Sequence, residues 1–113
     1  MDRKQFQQLL ESKRDWLVVY LSAPWCAPCA VAEPLIAAHV ARLPSRIAYL
    51  HLNVDTCGDV FAALRAKKQV RGIPALLAYQ PGNTTLISDA SCSGADETDI
   101  AAVFRKLGLN LPT

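Results

Sequence analysis

The apolar positions of this chain follow two rhythms that take turns: residues three and four apart, and short continuous runs. Phe6, Leu9 and Leu10 recur at helical spacing behind Asp2, whose carboxylate suits a helix N-cap. "WLVVYLS" (16–22) is apolar without alternation, the pattern of a strand covered on both faces. "AVAEPLIAAHVARL" (30–43) is helical in composition, with Pro34 expected to kink the helix instead of ending it. "RIAYLHLNV" (46–54) reads as a second buried strand. "DVFAALRAKKQV" (59–70) sets Val60, Phe61 and Leu64 on one side ahead of a basic tail, a short helix. "ALLAYQ" and "TTLISD" flank Pro81-Gly82-Asn83, a hairpin signal. Asp96 then opens "DETDIAAVFRKLG", with Ile100, Val103, Phe104 and Leu107 on one helical stripe and Gly108 as the stop.

The predicted order is helix, strand, helix, strand, helix, strand, strand, helix. A βαβ crossover followed by an antiparallel pair gives an α/β fold with a mixed sheet and helices on both faces. At 113 residues, with no repeat or linker, residues 1–113 are expected to form a single domain. Composition agrees: 51% apolar and 19% charged residues argue against disorder.

Charge narrows the partners. A formal net charge of +2, with lysines and arginines scattered, offers no electrostatic reason to bind nucleic acid or an anionic membrane. "MDRKQFQQLLESKRDW" carries charges throughout and lacks the apolar core of a secretory signal, and the apolar run Trp16–Leu21 is far too short to span a bilayer. The expectation is a soluble, cytoplasmic protein. There thiols stay reduced, and a cysteine pair more often serves catalysis or metal binding than structure.

"APWCAPCAVAEP" (23–34) carries such a pair. Two thiols at this spacing can bind a metal, close a structural bridge, or cycle between dithiol and disulfide. The thiolate is the reactive species, and a helix N-terminus lowers a thiol's pKa through its unpaired N–H groups and dipole. Cys26 falls between strand and helix, where those donors face it; Cys29, one turn inside, lies on the same face within reach of it. Pro28 fits early in a helix, where its missing N–H has no intrahelical acceptor to lose. Trp25 is placed to cover the apolar side. A four-cysteine zinc site fits less well, since only one pair has ligand-like spacing.

Along nearly its whole length the chain resembles the thioredoxin family. Trp25-Cys26-Ala27-Pro28-Cys29 matches the family's Trp-Cys-Gly-Pro-Cys, Pro34 its kinking proline, "LNVD" (52–55) the end of its central strand, and Arg71-Gly72-Ile73-Pro74 the loop whose proline is cis. Gly82 and Gly94 fit its hairpin and post-strand glycines. The resemblance implies the thioredoxin fold and thiol–disulfide exchange: Cys26 attacks a substrate disulfide and Cys29 resolves the mixed disulfide. It places cis Pro74 beside the cysteines, the Ile73 backbone against substrate main chain, and Trp25 and Pro28 in the contact surface. The redox-active disulfide Cys26–Cys29 carries the electrons with no bound cofactor or metal. The implied partners are protein disulfides and an electron-donating reductase.

The chain departs from the family at telling places. The buried aspartate six residues before the first cysteine is Tyr20 here, and the lysine paired with it aligns with His51. Two readings stand open: Tyr20 and His51 meet beneath Cys29 and His51 takes over the proton, or Tyr20 is a core aromatic with His51 merely its partner. Ala27 and Ala30 replace the family's glycine and lysine; neither stabilises a thiolate, which favours a reductase-like poise. Glu33 is near in sequence, with surface solvation its expected fate. The lost aspartate and lysine also leave room for a non-catalytic binding or chaperone module, against which the retained thiol pair argues.

Two further expectations concern the rest of the chain. The family's first strand is absent, leaving the strand around Ile47–Val54 as an open edge through which a homodimer could pair. Cys57 and Cys92 lie in polar, loop-like contexts, in segments about four residues longer than the family's spacing. They are inert, separately oxidised, or joined as a second disulfide.

Overall fold

Strand β1 (Leu17–Ser22) is the centre of the architecture in the computed structural model, which describes residues 1–108. It pairs in parallel with β2 (Ala48–Asn53) and antiparallel with β3 (Ala75–Tyr79), which pairs antiparallel with β4 (Ala90–Ser93), giving the order β2-β1-β3-β4. Every residue of β1 and of β3 is buried. Side chains alternate between the faces of such a strand. Leu17, Val19 and Leu21 of β1 join Ala75, Leu77 and Tyr79 of β3 in one core; Val18 and Tyr20 join Leu76 and Ala78 in the other.

Helices α1 (Arg3–Ser12) and α3 (Gly58–Ala66) cover the first face through Phe6, Leu10, Val60 and Leu64. Helices α2 (Ala27–Val40) and α4 (Glu97–Arg105) cover the second through Ala32, Ile36, Ile100, Val103 and Phe104. Fully burying an aliphatic or Phe side chain contributes about 1.5–3 kcal/mol, so the two layers stabilise the central strands from both sides. Capping follows the polar signals. Asp2 and Gln5 form a reciprocal capping box, Asp96 accepts from the Asp99 N–H, and Gly108 (φ +67°) follows α4 in the left-handed region. Pro34 lies inside α2, which continues through it.

Three expectations are corrected. "TTLISD" is a loop, not the second hairpin strand, which comes later as β4. Local bonds compete with the ladder: the Asn83 carboxamide accepts from the Thr85 N–H (3.0 Å) and donates to the Ile87 carbonyl (2.8 Å). Leu86 turns into the core, where its carbonyl accepts from the Tyr79 hydroxyl at 2.9 Å. Second, β2 is the open edge expected around Ile47–Val54 and not the buried strand its apolar run suggested: Ala48 and His51 are exposed, and only Leu52 within it is buried. Third, α3 ends at Ala66 instead of 70. Lys68 adopts φ +58°, and its N–H and that of Gln69 bond back to the carbonyls of Arg65 and Leu64, closing the helix.

Candidate active site

β1 delivers the chain to the site. After Ser22 it turns through Ala23-Pro24-Trp25, closed by the Cys26 N–H to Ala23 carbonyl bond (3.1 Å), and Cys26 becomes the N-cap of α2. The extended backbone of Cys26 (φ −90°, ψ 107°) aims its sulfur along the helix, where it accepts the Cys29 N–H at 3.2 Å. That is the bond a serine or aspartate oxygen makes at an ordinary N-cap. Here it places a helix N–H and the positive end of the helix dipole on a sulfur, the arrangement that stabilises a thiolate. Pro28 sits in the first two helical positions, where its missing N–H costs nothing. Cys26 and Cys29 are joined in a disulfide, their Cα atoms 5.2 Å apart. Cys26 is the more accessible, 7% exposed against 2% for Cys29.

The opposing loop comes from the start of β3. The Ile73–Pro74 bond is cis, and the Ile73 carbonyl lies 3.8 Å from the Cys26 sulfur. The Pro74 carbonyl is held by the Gly94 N–H at 2.8 Å, so the loop is tied to the end of β4. Trp25 is 68% exposed, yet its ring is tethered: the indole N–H donates to both carboxylate oxygens of Asp55, at 3.1 and 2.9 Å. Asp55 is in turn fixed by its own N–H on the Asn53 side chain (2.9 Å). Sequence reasoning saw Asp55 only as the end of "LNVD" and missed this role. Val31, on the first turns of α2, is also exposed, at 59%.

Beneath Cys29 the structure brings together Tyr20 and His51, which are register partners across β1 and β2. Their rings stack with centroids 4.7 Å apart. The Tyr20 hydroxyl donates to the Cys29 carbonyl at 3.2 Å, so it touches the backbone of the second cysteine. Burial, then the nearby Glu33 carboxylate, push the Tyr20 phenol upward, partly offset by the neighbouring Ser22 hydroxyl. Tyr20 is therefore a protonated donor at neutral pH. Ser22, buried two residues further along β1, is a residue the sequence reading missed; its hydroxyl lies 2.6 Å from His51 Nε2. Ser22, Cys26, Cys29, Glu33, His51 and Asn53 line one cavity of about 320 Å³. Glu33 is solvent-exposed on α2, as expected, and also borders this cavity.

A second disulfide is not formed. Cys57 and Cys92 are both free, and they pack on opposite faces of the sheet, Cys57 in the core under α1 and α3, Cys92 against the core under α2 and α4. The sheet itself separates them. Burial, reinforced by Asp99 and Asp96, pushes the Cys92 thiol up to about 11, which keeps it protonated. Among the described residues no three His, Cys, Asp or Glu side chains converge as a metal site, and no helix is long and apolar enough to cross a membrane.

Comparison with known proteins agrees with this geometry. The thioredoxin family model matches residues 1–106. The chain is 27% identical over 106 residues to the thioredoxin of Oryctolagus cuniculus, covering 93% of this chain and 92% of that one. It is 30% identical over 103 residues to the thioredoxin of Rattus norvegicus, covering 90% of each. The oxidised mitochondrial thioredoxin 3 of Saccharomyces cerevisiae superimposes with a TM-score of 0.72 at 20% identity, over 93% of this chain and 90% of that one, a likeness of fold.

Proposed function

The chain belongs to the thioredoxin family and is a thiol–disulfide oxidoreductase acting on protein disulfides, and from that premise we propose the part each site residue plays. Cys26 is the attacking thiolate. The observation that carries this assignment is the Cys29 N–H on the Cys26 sulfur at the start of α2. Cys26 attacks one sulfur of the substrate disulfide, the substrate's S–S bond breaks, and the first substrate thiolate leaves and is protonated. Cys29 then loses its proton and attacks Cys26, releasing the second substrate thiol and leaving the Cys26–Cys29 disulfide. Two electrons pass from the protein to the substrate, and a reductase partner returns them.

Trp25, Pro28, Ile73 and Pro74 form the contact surface. The Ile73 carbonyl beside Cys26 offers an acceptor to an extended substrate main chain, the pairing used when a strand is added to an exposed backbone. With only alanines at 27 and 30, no side-chain cation adds to the helix N-terminus, which supports a reductase-like poise. A cytoplasmic setting is in keeping with that poise. The uncovered edge of β2, with Ala48, Tyr49 and Leu50 along it, supports pairing with the same edge of a second copy. Light scattering at high protein concentration tests this; a strictly monomeric mass rejects it.

Insulin disulfide reduction with dithiothreitol as the electron source tests the roles directly. Cys26→Ser is expected to fall to the uncatalysed background. Cys29→Ser is expected to accumulate a mixed disulfide at Cys26, visible by mass spectrometry. Retained turnover in Cys26→Ser rejects the assignment.

A further inference from the structure

The resolving step needs a proton acceptor. Cys29 is 2% exposed, so its thiol cannot simply release a proton to bulk water, and a buried thiol without a partner is held in its protonated form. Tyr20, the side chain that touches the Cys29 backbone, is a poor acceptor because its phenol keeps its own proton at neutral pH and spends it on the Cys29 carbonyl. The cavity beside Cys29 leads elsewhere. Its walls include the Ser22 hydroxyl and His51, linked at 2.6 Å, and at about 320 Å³ it has room for several waters at roughly 30 Å³ each. His51 is solvent-exposed on the edge strand β2, so a proton it accepts has a way out.

We infer that Ser22 and His51 form the proton exit for Cys29: the Ser22 hydroxyl donates to His51 Nε2 and accepts, through cavity water, the proton leaving the Cys29 thiol. The proposal rests on Cys29 being the resolving thiol and adds where its proton goes. Its balance is complete. The Cys29 S–H bond breaks, its electron pair forms the bond to the Cys26 sulfur, the Cys26–substrate S–S bond breaks toward the substrate, and the proton ends on His51. From there it passes to solvent or to the departing substrate thiolate.

Each neighbour of His51 has a part. Tyr20, stacked on the imidazole from β1, fixes the plane of the ring and is a positioning residue. Glu33, on α2, is the carboxylate that borders the same cavity. Asn53, on β2, is neutral. Tyr49 also lies on β2, two residues before His51; its phenol is pushed up to about 12 by burial, then by Tyr20 and Glu33, so it stays uncharged throughout.

Stopped-flow mixing of the reduced protein with an aromatic disulfide that releases a coloured thiolate resolves the two steps as two phases. Cys29→Ser should keep the first and lose the second; if both persist, Cys29 is not the resolver and the premise fails by itself. In the wild type the second phase is expected to speed up with pH below the range where a thiol ionises unaided. In His51→Gln it should slow about a hundredfold at neutral pH, with its rise displaced to the alkaline range where a thiol ionises unaided. Ser22→Ala should give the same displacement in a folded protein, whereas Tyr20→Phe should slow the phase less and leave the profile where it is. Tyr49→Phe should match the wild type. A His51→Gln profile that overlays the wild type overturns the proposal, as does a Tyr20→Phe variant that alone abolishes the near-neutral rise.

Discussion

Helices α2 and α3 each begin with a cysteine at the N-cap, and the two thiols are almost equally sheltered, Cys26 at 7% exposure and Cys57 at 6%. Their surroundings differ. At Cys26 the backbone is extended and the sulfur takes a helix N–H; at Cys57 (φ −121°, ψ 37°) the side chain makes no capping bond and points into the core with Val60 and Leu64. Three residues on, α2 offers a second cysteine and α3 offers the buried Val60. On the roles proposed above, a helix N-terminus activates a thiol where the preceding residues turn the sulfur onto the helix axis and a surface beside it admits a substrate. Ala23-Pro24-Trp25 and the cis Pro74 loop supply both conditions for α2.

The sharpest way to break this contrast is to remove each thiol. Cys26→Ser should abolish insulin reduction, while Cys57→Ser keeps it, because the Cys57 sulfur meets the core under α1 and α3, the Met1 ammonium (3.9 Å) and the Thr56 hydroxyl (3.8 Å), none of them part of the site. A comparable loss in both variants would mean that α3 belongs to the site. Next in size is a chemical contrast. With its pKa raised to about 11, Cys92 carries far less thiolate at neutral pH than a free cysteine, so iodoacetamide should label it roughly two orders of magnitude more slowly than a free thiol. Cys26 in the reduced protein should label fastest of the four. Labelling of Cys92 should rise steeply only as pH approaches the alkaline range, and a plateau reached near pH 9 contradicts the buried, acid-flanked environment described for it.

The same contrast explains how much of the molecule was legible from residue order. α1, β1, α2 and α4 were plain because local signals agree with tertiary fate: Asp2, Asp96 and Gly108 sit where the apolar stripe begins or ends. "RIAYLHLNV" reads as a buried strand because a continuous apolar run looks the same at a sheet centre and at an edge; its edge position follows from the resemblance, and the strand order agrees. "TTLISD" has strand-like residues, but the Asn83 carboxamide diverts their backbone partners. At the site, the cysteines and Pro28 share one local motif and Pro74 stands in another, and the structure sets the two motifs side by side. Ser22 was missed, since its meeting with His51 depends on the parallel register that sets Tyr20 opposite His51. The Trp25–Asp55 tether joins residues 30 positions apart, and no spacing announces it. Cys57 and Cys92 were left as a candidate pair because residue order does not say which side of a sheet a thiol faces.

That tether gives a smaller, more local test. Asp55→Ala frees the Trp25 indole, and if the ring position matters for substrate contact, KM should rise with kcat little changed, lowering kcat/KM about fivefold, or ~1 kcal/mol. The effect stays modest because both groups are exposed and water replaces the lost partner. A fall confined to kcat would instead tie Asp55 to the chemical steps.

The smallest expected effect lies at the other end of α3. Its closing turn is completed by Lys68 in the left-handed region (φ +58°), where glycine is the usual residue, whereas α2 is capped by Ala41 in ordinary helical geometry (φ −60°, ψ −20°). The strain on a residue with a Cβ there is about 1–2 kcal/mol, and glycine returns roughly 0.5–1 kcal/mol of that through the greater entropy of its unfolded chain. Lys68→Gly should therefore stabilise by about 0.5–1 kcal/mol, a rise of a few degrees in Tm by calorimetry. Lys68→Ala, which keeps the Cβ and loses only the cation, should leave Tm near the wild type. Activity should not follow stability here. The stretch from α3 to cis Pro74 is held independently of Lys68, by buried Val70 and by the Gln69 carboxamide accepting the Ser88 N–H and hydroxyl at 2.8 and 3.0 Å. If Lys68→Gly also changed kcat/KM, the end of α3 would be coupled to the substrate loop, and the separation drawn between the two cysteine-led helices would hold at their starts but not along their length.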